Sequence, residues 1–165
     1  MRRSEDTPQV LVFPPLIPLT TVVSSILLQL LLPLYVFAQL SAYLRVPVGV
    51  ALLIGGIGLM VSGRHALTSS GTHVPPSLPT LVLVQSGIYR WTRNPLYVGG
   101  CSAMLGVAFL FELDWLPLIF PFSLAVLHFG IIKREERYLQ RKFGEAYLCY
   151  ASRVPRYLPL LGLRN

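Results

Sequence analysis

The chain has 165 residues, one domain by length, of which 53% are hydrophobic and only 13% charged, a composition that excludes an ordinary soluble domain and points to a membrane. Its formal net charge of +7 does not imply nucleic acid, because the cations flank apolar runs instead of forming a stripe among aromatics. Cys101 and Cys149 have neither CxxC spacing nor clustered histidines, so both read as free thiols and no metal site is expected.

The N-terminal residues carry Arg2, Arg3, Glu5 and Asp6 and lead to Pro14-Pro15, a short polar lead-in without the pattern of a secretory or twin-arginine signal. Residues 16–40 form an apolar run, enough at about 1.5 Å per residue to cross about 30 Å of hydrocarbon. This is the first predicted span, with Pro18 and Pro33 bending its ends. After a link at 41–45, residues 46–62 form the second, rich in Gly49, Ala51, Gly55, Gly56, Gly58 and Ser62. The pairs Ala51/Gly55 and Gly58/Ser62, four residues apart, predict close helix packing in lipid. This helix is expected to leave the membrane through Arg64-His65-Ala66-Leu67 and to end at Ser69-Ser70-Gly71-Thr72. A loop follows to Arg93, and its apolar piece Leu81-Val82-Leu83-Val84 is expected to dip into the interface.

Asn94-Pro95 marks the start of the third span, residues 95–111. Asparagine is a strong N-cap and proline at the first helical position forfeits no hydrogen bond. The positive end of this helix, beside Arg90 and Arg93, suits an anionic group. Gly99 and Gly100 leave a notch for a flat ligand or for another backbone. The fourth span, 115–132, is followed without a break by Lys133-Arg134-Glu135-Glu136-Arg137. Leu139 and Phe143 extend its apolar spacing, so one helix is expected to run to Gly144. Residues 145–153 read as a short amphipathic helix, and Pro155, Pro159 and Gly162 impose an extended tail.

With four spans, 13 of the 14 basic residues fall on one side and only Arg45, beside Glu112 and Asp114, on the other. The positive-inside rule then makes both termini and the long second loop cytoplasmic. Arg64, Arg90, Arg134, Arg137 and Lys142 are expected to meet lipid phosphates. His128 lies two turns before Glu135, and it reads as a packed or interface histidine.

The stretch Gly87-Ile88-Tyr89-Arg90-Trp91-Thr92-Arg93-Asn94-Pro95-Leu96-Tyr97-Val98-Gly99-Gly100 resembles the Arg-His-Pro-x-Tyr-x-Gly motif of the isoprenylcysteine carboxyl methyltransferase family, which is related to the membrane phospholipid methyltransferases. Asn94 stands where that motif most often has histidine. The resemblance reaches upstream to Gly71-Thr72 and Pro75, and downstream to Glu135-Glu136, Phe143-Gly144, Tyr147, Tyr150, Arg153-Val154-Pro155 and Pro159. It covers roughly the last 100 residues.

The resemblance implies a single all-α integral membrane domain over residues 1–165, with a motif-bearing core at 71–165. Its cytosolic cofactor site would be formed by the second loop, the start of the third span and the C-terminal helices. The implied cofactor is S-adenosylmethionine, and the implied acceptor is lipophilic, enters from the bilayer and bears an isoprenylcysteine-type carboxylate. Its cofactor residues would be Tyr89, Arg93, Asn94, Pro95, Tyr97, Gly99, Glu135 and Glu136, with Arg93 and Arg153 at the reaction centre. Those residue types suit the chemistry, since a helix start binds a carboxylate, glutamates accept from an ammonium or from ribose hydroxyls, and a guanidinium fork orients an acceptor carboxylate.

Other readings stand beside these. Tyr89 and Tyr97 also suit the membrane interface, and Glu135-Glu136 also suit surface ion pairs with Lys133, Arg134 and Arg137. Amine or phospholipid N-methylation, an NADPH-dependent membrane reductase and a non-catalytic accessory protein are the alternative functions.

Overall fold

The computed structural model describes residues 6–158, and the described chain is helical without strands. Six α-helices follow in order: α1 Leu16–Leu31, α2 Ala42–Ser69, α3 Pro95–Phe111, α4 Trp115–Leu127, α5 Lys133–Phe143 and α6 Glu145–Arg153. A π-helical turn at His128–Ile132 joins α4 to α5, making one continuous helix from Trp115 to Phe143. This helix and α2 are long and apolar enough to cross a membrane, whereas α1 and α3 are apolar but only 16 and 17 residues long. Pro159, Gly162, Arg2 and Arg3 lie outside the described residues.

The first span is shorter than its apolar run. Pro33 offers no N–H and restricts the residue before it, so α1 stops at Leu31. The remaining apolar residues fold back as a short 3₁₀ turn, Phe37–Gln39, whose Phe37 N–H donates to Asp114 Oδ1 at 2.7 Å. Helix α2 starts at Ala42, four residues before the expected Val46, because the predicted link itself supplies the first helical turn: Leu44 and Arg45 N–H both donate to Ser41 O. Its other end is closed as expected. Gly71, at φ +74°, sits just beyond the last turn, with Gly71 N–H on Thr68 O and Thr72 N–H on Leu67 O.

Close packing of α2 on α3 uses other glycines than those predicted. Ala51, Gly55, Gly58 and Ser62 are exposed, and a Cβ added at Gly55 or Gly58 would meet nothing within 4 Å. Gly49, Gly56 and Gly63 instead face α3 at seven-residue spacing, opposite Leu110, Gly99 and Leu96. A seven-residue line keeps one seam in register over several turns, which a single four-residue pair does not.

At the opposite end from the motif, each of the few charges has a partner. Arg45 pairs with Glu112 at 2.7 Å and donates to the last carbonyls of α3, Phe109 O and Leu110 O. Asp114 is buried and held by Phe37 N–H and Gln29 Nε2. Thr21 and Ser123 share a buried hydrogen bond of 2.6 Å where α1 packs on α4.

Candidate active site

A cavity of about 340 Å³ lies where the second loop, the start of α3, α5, α6 and the N-terminal segment converge. Its polar lining includes Arg93, Asn94, Glu135, Glu136 and the tyrosines Tyr89, Tyr97, Tyr138, Tyr147 and Tyr150. Seven of the nine predicted site residues, Pro95 among them, therefore share one cavity, and the other two, Gly99 and Arg153, do not line it.

The α3 start is built differently from a simple asparagine cap. Asn94 Nδ2 donates to Arg156 O at 3.0 Å and makes no cap bond, while Thr92 Oγ1 accepts from Asn94 N–H at 3.2 Å. The same Arg156 carbonyl accepts from Thr92 Oγ1, and Arg93 N–H donates to Pro155 O. The tail thus straps the helix start, and Asn94 is used to hold that strap. Pro95 occupies the first helical position, as predicted, and is fully buried.

Glu135 and Glu136 have separate partners. Tyr97 donates its hydroxyl to Glu135 Oε1 at 2.7 Å. Glu136 is held by two guanidinium groups, Arg93 Nη1 at 3.1 Å and Arg156 Nη2 at 2.8 Å, with Arg156 Nε on both oxygens. Arg93 also donates to Tyr147 Oη at 3.4 Å, and its Nε is buried without a partner. The charge at this corner is one carboxylate against two guanidiniums, which leaves a surplus positive charge facing the cavity.

The apolar part of the long helix ends at Ile132, and Glu135 lies in the charged extension beyond it. Removal from water pushes the Glu135 carboxyl up to about 7, with the Tyr97 hydrogen bond opposing and neighbouring Glu136 adding to the rise. Burial likewise pushes Tyr147 up to about 12, with Glu136 adding and Arg93 opposing. Tyr89 and Tyr150 are raised by burial too, so both phenols are neutral, and Tyr150 donates to Tyr89 O at 2.8 Å. That bond places Tyr89 in the wall of the site and not at a lipid interface.

Two predicted residues are placed elsewhere. Gly99 does not face the cavity: a Cβ there would lie 2.5 Å from Gly56 O, so the notch is filled by the backbone of α2. Arg153 is exposed at the end of α6, with its Nε on Cys149 O, and does not line the cavity. The guanidinium that completes the corner is Arg156, three residues on. Pro155 ends helical geometry and turns the next side chain back toward Glu136. The sequence signal was the Pro155-Arg156 pair itself, which motif matching passes over. Tyr147 and Tyr150, legible as motif pieces, gain a definite place in the wall, Tyr147 accepting from Arg93 and Tyr150 donating to Tyr89 O.

A second cavity of about 300 Å³ adjoins the first and is almost wholly apolar, lined by Ile17, Met60, Met104, Phe120, Leu124 and Leu127 among others. Pro14, Pro15, Leu96 and Tyr97 line both cavities and form the wall between them.

A phospholipid methyltransferase family model matches residues 44–146, which include α2, α3, the long fourth helix and most of the polar cavity lining. The chain belongs to this family. Among curated relatives, it is 30% identical to a protein-S-isoprenylcysteine O-methyltransferase of Mus musculus over 68% of this chain and 41% of that protein. It is 36% identical to a protein of the same name from Schizosaccharomyces pombe over 64% of this chain and 48% of that one. It is also 33% identical to a cobalt-zinc-cadmium resistance protein, CzcN, of Cupriavidus metallidurans over 49% of this chain and 37% of that protein. The chain thus spans less than half the length of these three relatives. No solved structure matches it.

Proposed function

We propose that this chain is an integral-membrane methyltransferase that uses S-adenosylmethionine to methylate a lipophilic acceptor carrying a carboxylate of isoprenylcysteine type. The observation that carries this reading is the pair of cavities, one rich in charged and phenolic groups and one apolar, meeting at Pro14, Pro15, Leu96 and Tyr97. A cavity of about 340 Å³ is in the size range of small-molecule sites. Its donors and acceptors fit a zwitterion: Arg93 Nε is buried and unpaired, and Glu135 keeps one oxygen beyond its bond to Tyr97.

When bound, S-adenosylmethionine supplies an electrophilic methyl group on a sulfonium. Arg93 and the start of α3 would hold its carboxylate, Glu135 its ammonium or ribose hydroxyls, and the apolar loop residues Val74, Val82 and Leu83 its adenine. Asn94, Pro95 and Thr92 fix the helix start against the tail, so the orientation of Arg93 is set before any ligand arrives. An acceptor carboxylate is ionised at neutral pH and needs no general base, so the chain's task is alignment and exclusion of water. Methionines and leucines along the second cavity keep that approach dry, and a less polar surrounding favours the meeting of opposite charges. Arg93 is the arginine that serves the reaction centre in this reading, and Arg156 acts through Glu136 to position it. The glutamate-lined cavity faces the cytoplasm, on the side of the basic residues, so the donor enters from the cytosol and the acceptor from the bilayer.

Titration of the purified protein with S-adenosylmethionine and with NADPH tests this directly. Saturable binding of the first alone is expected. Binding of NADPH alone would replace the reading with a reductase, and binding of neither with an accessory protein. At saturating donor, turnover on a farnesylcysteine carboxylate is expected to be flat from about pH 7.5 upward, whereas a rate still climbing there would indicate an amine acceptor that must lose a proton.

A further inference from the structure

Arg134 and Lys142, whose sequence context predicts contact with lipid phosphates, both bond to the N-terminal segment. Together with Gly130 and Tyr138 they form a line at four-residue spacing along the helix, and every member binds the N-terminal segment. Gly130 O accepts from Leu11 N–H at 3.1 Å. Arg134 Nη1 donates to Gln9 O at 3.2 Å. Tyr138 Oη donates to Asp6, with Oδ1 at 3.0 Å and the carbonyl at 3.1 Å, and Lys142 Nζ pairs with the same carboxylate at 2.6 and 2.7 Å. Residues 6–11 therefore run antiparallel to the helix, from Lys142 back to Gly130.

The segment so held is part of the donor cavity. Pro8, Phe13, Pro14 and Pro15 line it, and opposite them stands the second loop through His73, Val74, Thr80 and Val82. The two sides are joined at one atom, because Tyr138 Oη also accepts from Thr80 N–H at 3.0 Å. Tyr138 is buried, so its hydroxyl is a protected junction and not a surface contact. By contrast, Asp6 is exposed and Gln9 adopts φ +48°, a conformation that a side chain rarely adopts unless its surroundings hold it.

We propose that residues 6–15 are a strap that closes the donor cavity, and that Tyr138 is the positioning residue that latches strap and second loop together. This rests on the reading of the cavity as the methyl-donor site. Exchange of the donor requires the Asp6, Gln9 and Leu11 contacts to release in order along the helix, and the pair Lys142–Asp6, at the exposed end, is the first to go. Because Pro14 and Pro15 also wall the apolar cavity, movement of the strap opens both sites, so acceptor and donor affect each other's binding.

The test uses the full chain in lipid nanodiscs and Tyr138→Phe, which keeps the ring and removes only the hydroxyl. Amide exchange is expected to quicken together in 7–13 and in 78–84, while α2 and α3 stay protected. S-adenosylhomocysteine, as probe, is expected to dissociate about tenfold faster, in keeping with the loss of a buried hydroxyl serving several partners. Lys142→Met should reproduce a smaller part of both effects, and Lys142→Arg should restore the wild-type rates. If only one segment quickens, or if both quicken with no change in the dissociation rate, the latch is wrong. Wild-type protein that does not bind the probe would overturn the donor-site reading, while the exchange arm would still decide whether Tyr138 joins the two segments.

Discussion

The clearest separation between packing and ligand binding comes from the adjacent glycines of α3. At Gly99 an added Cβ would lie 2.5 Å from Gly56 O, 2.9 Å from Met60 Cγ and 3.0 Å from Met60 N. Two of those three atoms are backbone, so no rotamer change relieves them, and carbon and oxygen normally approach only to about 3.3 Å. Gly99→Ala must therefore part α2 from α3 by the better part of an ångström along their seam. Overpacking of this kind costs about 1 to 3 kcal/mol, and a backbone clash belongs at the upper end. Alanine returns about 1 kcal/mol of helix propensity, leaving a net loss of about 2 kcal/mol. For a chain of this size that is a fall of roughly 4 to 8 °C in melting temperature.

Gly100→Ala is the internal control. Its Cβ would find only Met60 Sδ, at 3.9 Å, an ordinary contact, and its outer side lines the apolar cavity. It should melt at or above the wild-type temperature and bind S-adenosylhomocysteine normally. Thermal unfolding in detergent, followed by helical circular dichroism, with probe binding measured on the folded protein, reads both quantities. A Gly99→Ala protein of wild-type stability that no longer binds the probe would refute the packing argument, because it would show that Gly99 faces ligand and not α2.

Two further outcomes follow from the charged corner. Since the folded Glu135 carboxyl is raised to about 7 from an ordinary 4.5, its neutral form favours the fold: that stability is complete below about 4.5 and is lost as pH rises through 7. Glu135→Gln should therefore raise the melting temperature at pH 8 but not near pH 4.5, while weakening S-adenosylmethionine at pH 8, where the wild-type carboxylate is ionised. Arg156→Met leaves Glu136 with Arg93 alone, and for a partly buried pair with three close contacts a loss of about 1 to 3 kcal/mol is expected, against less than 1 for Arg153→Met. Turnover should follow the same order if Arg93 is positioned through Glu136, and equal losses in both variants would show that Arg153 reaches the centre after all.

Most helices were legible because each has a local cause, such as an apolar run, Gly71 and Gly144 at helix ends, and Pro95 at a helix start, whereas the stop that Pro33 imposes on α1 was read only as a bend. Most of the site was legible for a different reason. Arg93, Asn94, Pro95 and Tyr97 sit at the start of α3 and Glu135 and Glu136 on the charged extension of the fourth helix, which the expected topology brings to one side, so the resemblance together with that topology already implied their meeting. What escaped the sequence was set by partners distant along the chain. The seam glycines were chosen by where α3 presents its own glycines, and four-residue pairs within α2 carry no information about that.

The same reasoning applies to the basic residues. Lys142 and Arg134 follow an apolar span, and that context is shared by every juxtamembrane cation whether it meets a phosphate or a carboxylate. Only the fold shows that Asp6, 136 residues away, stands opposite Lys142. Likewise Asn94 has the right chemistry for a cap, but its amide is drawn to Arg156 O, 62 residues on, and Thr92 accepts from its backbone N–H instead. In both cases a polar residue with a good local use has taken a distant one, and in both the distant bond ties a terminal segment to the cavity. The position where the motif departs, Asn94, is thus the position where the amide holds the tail.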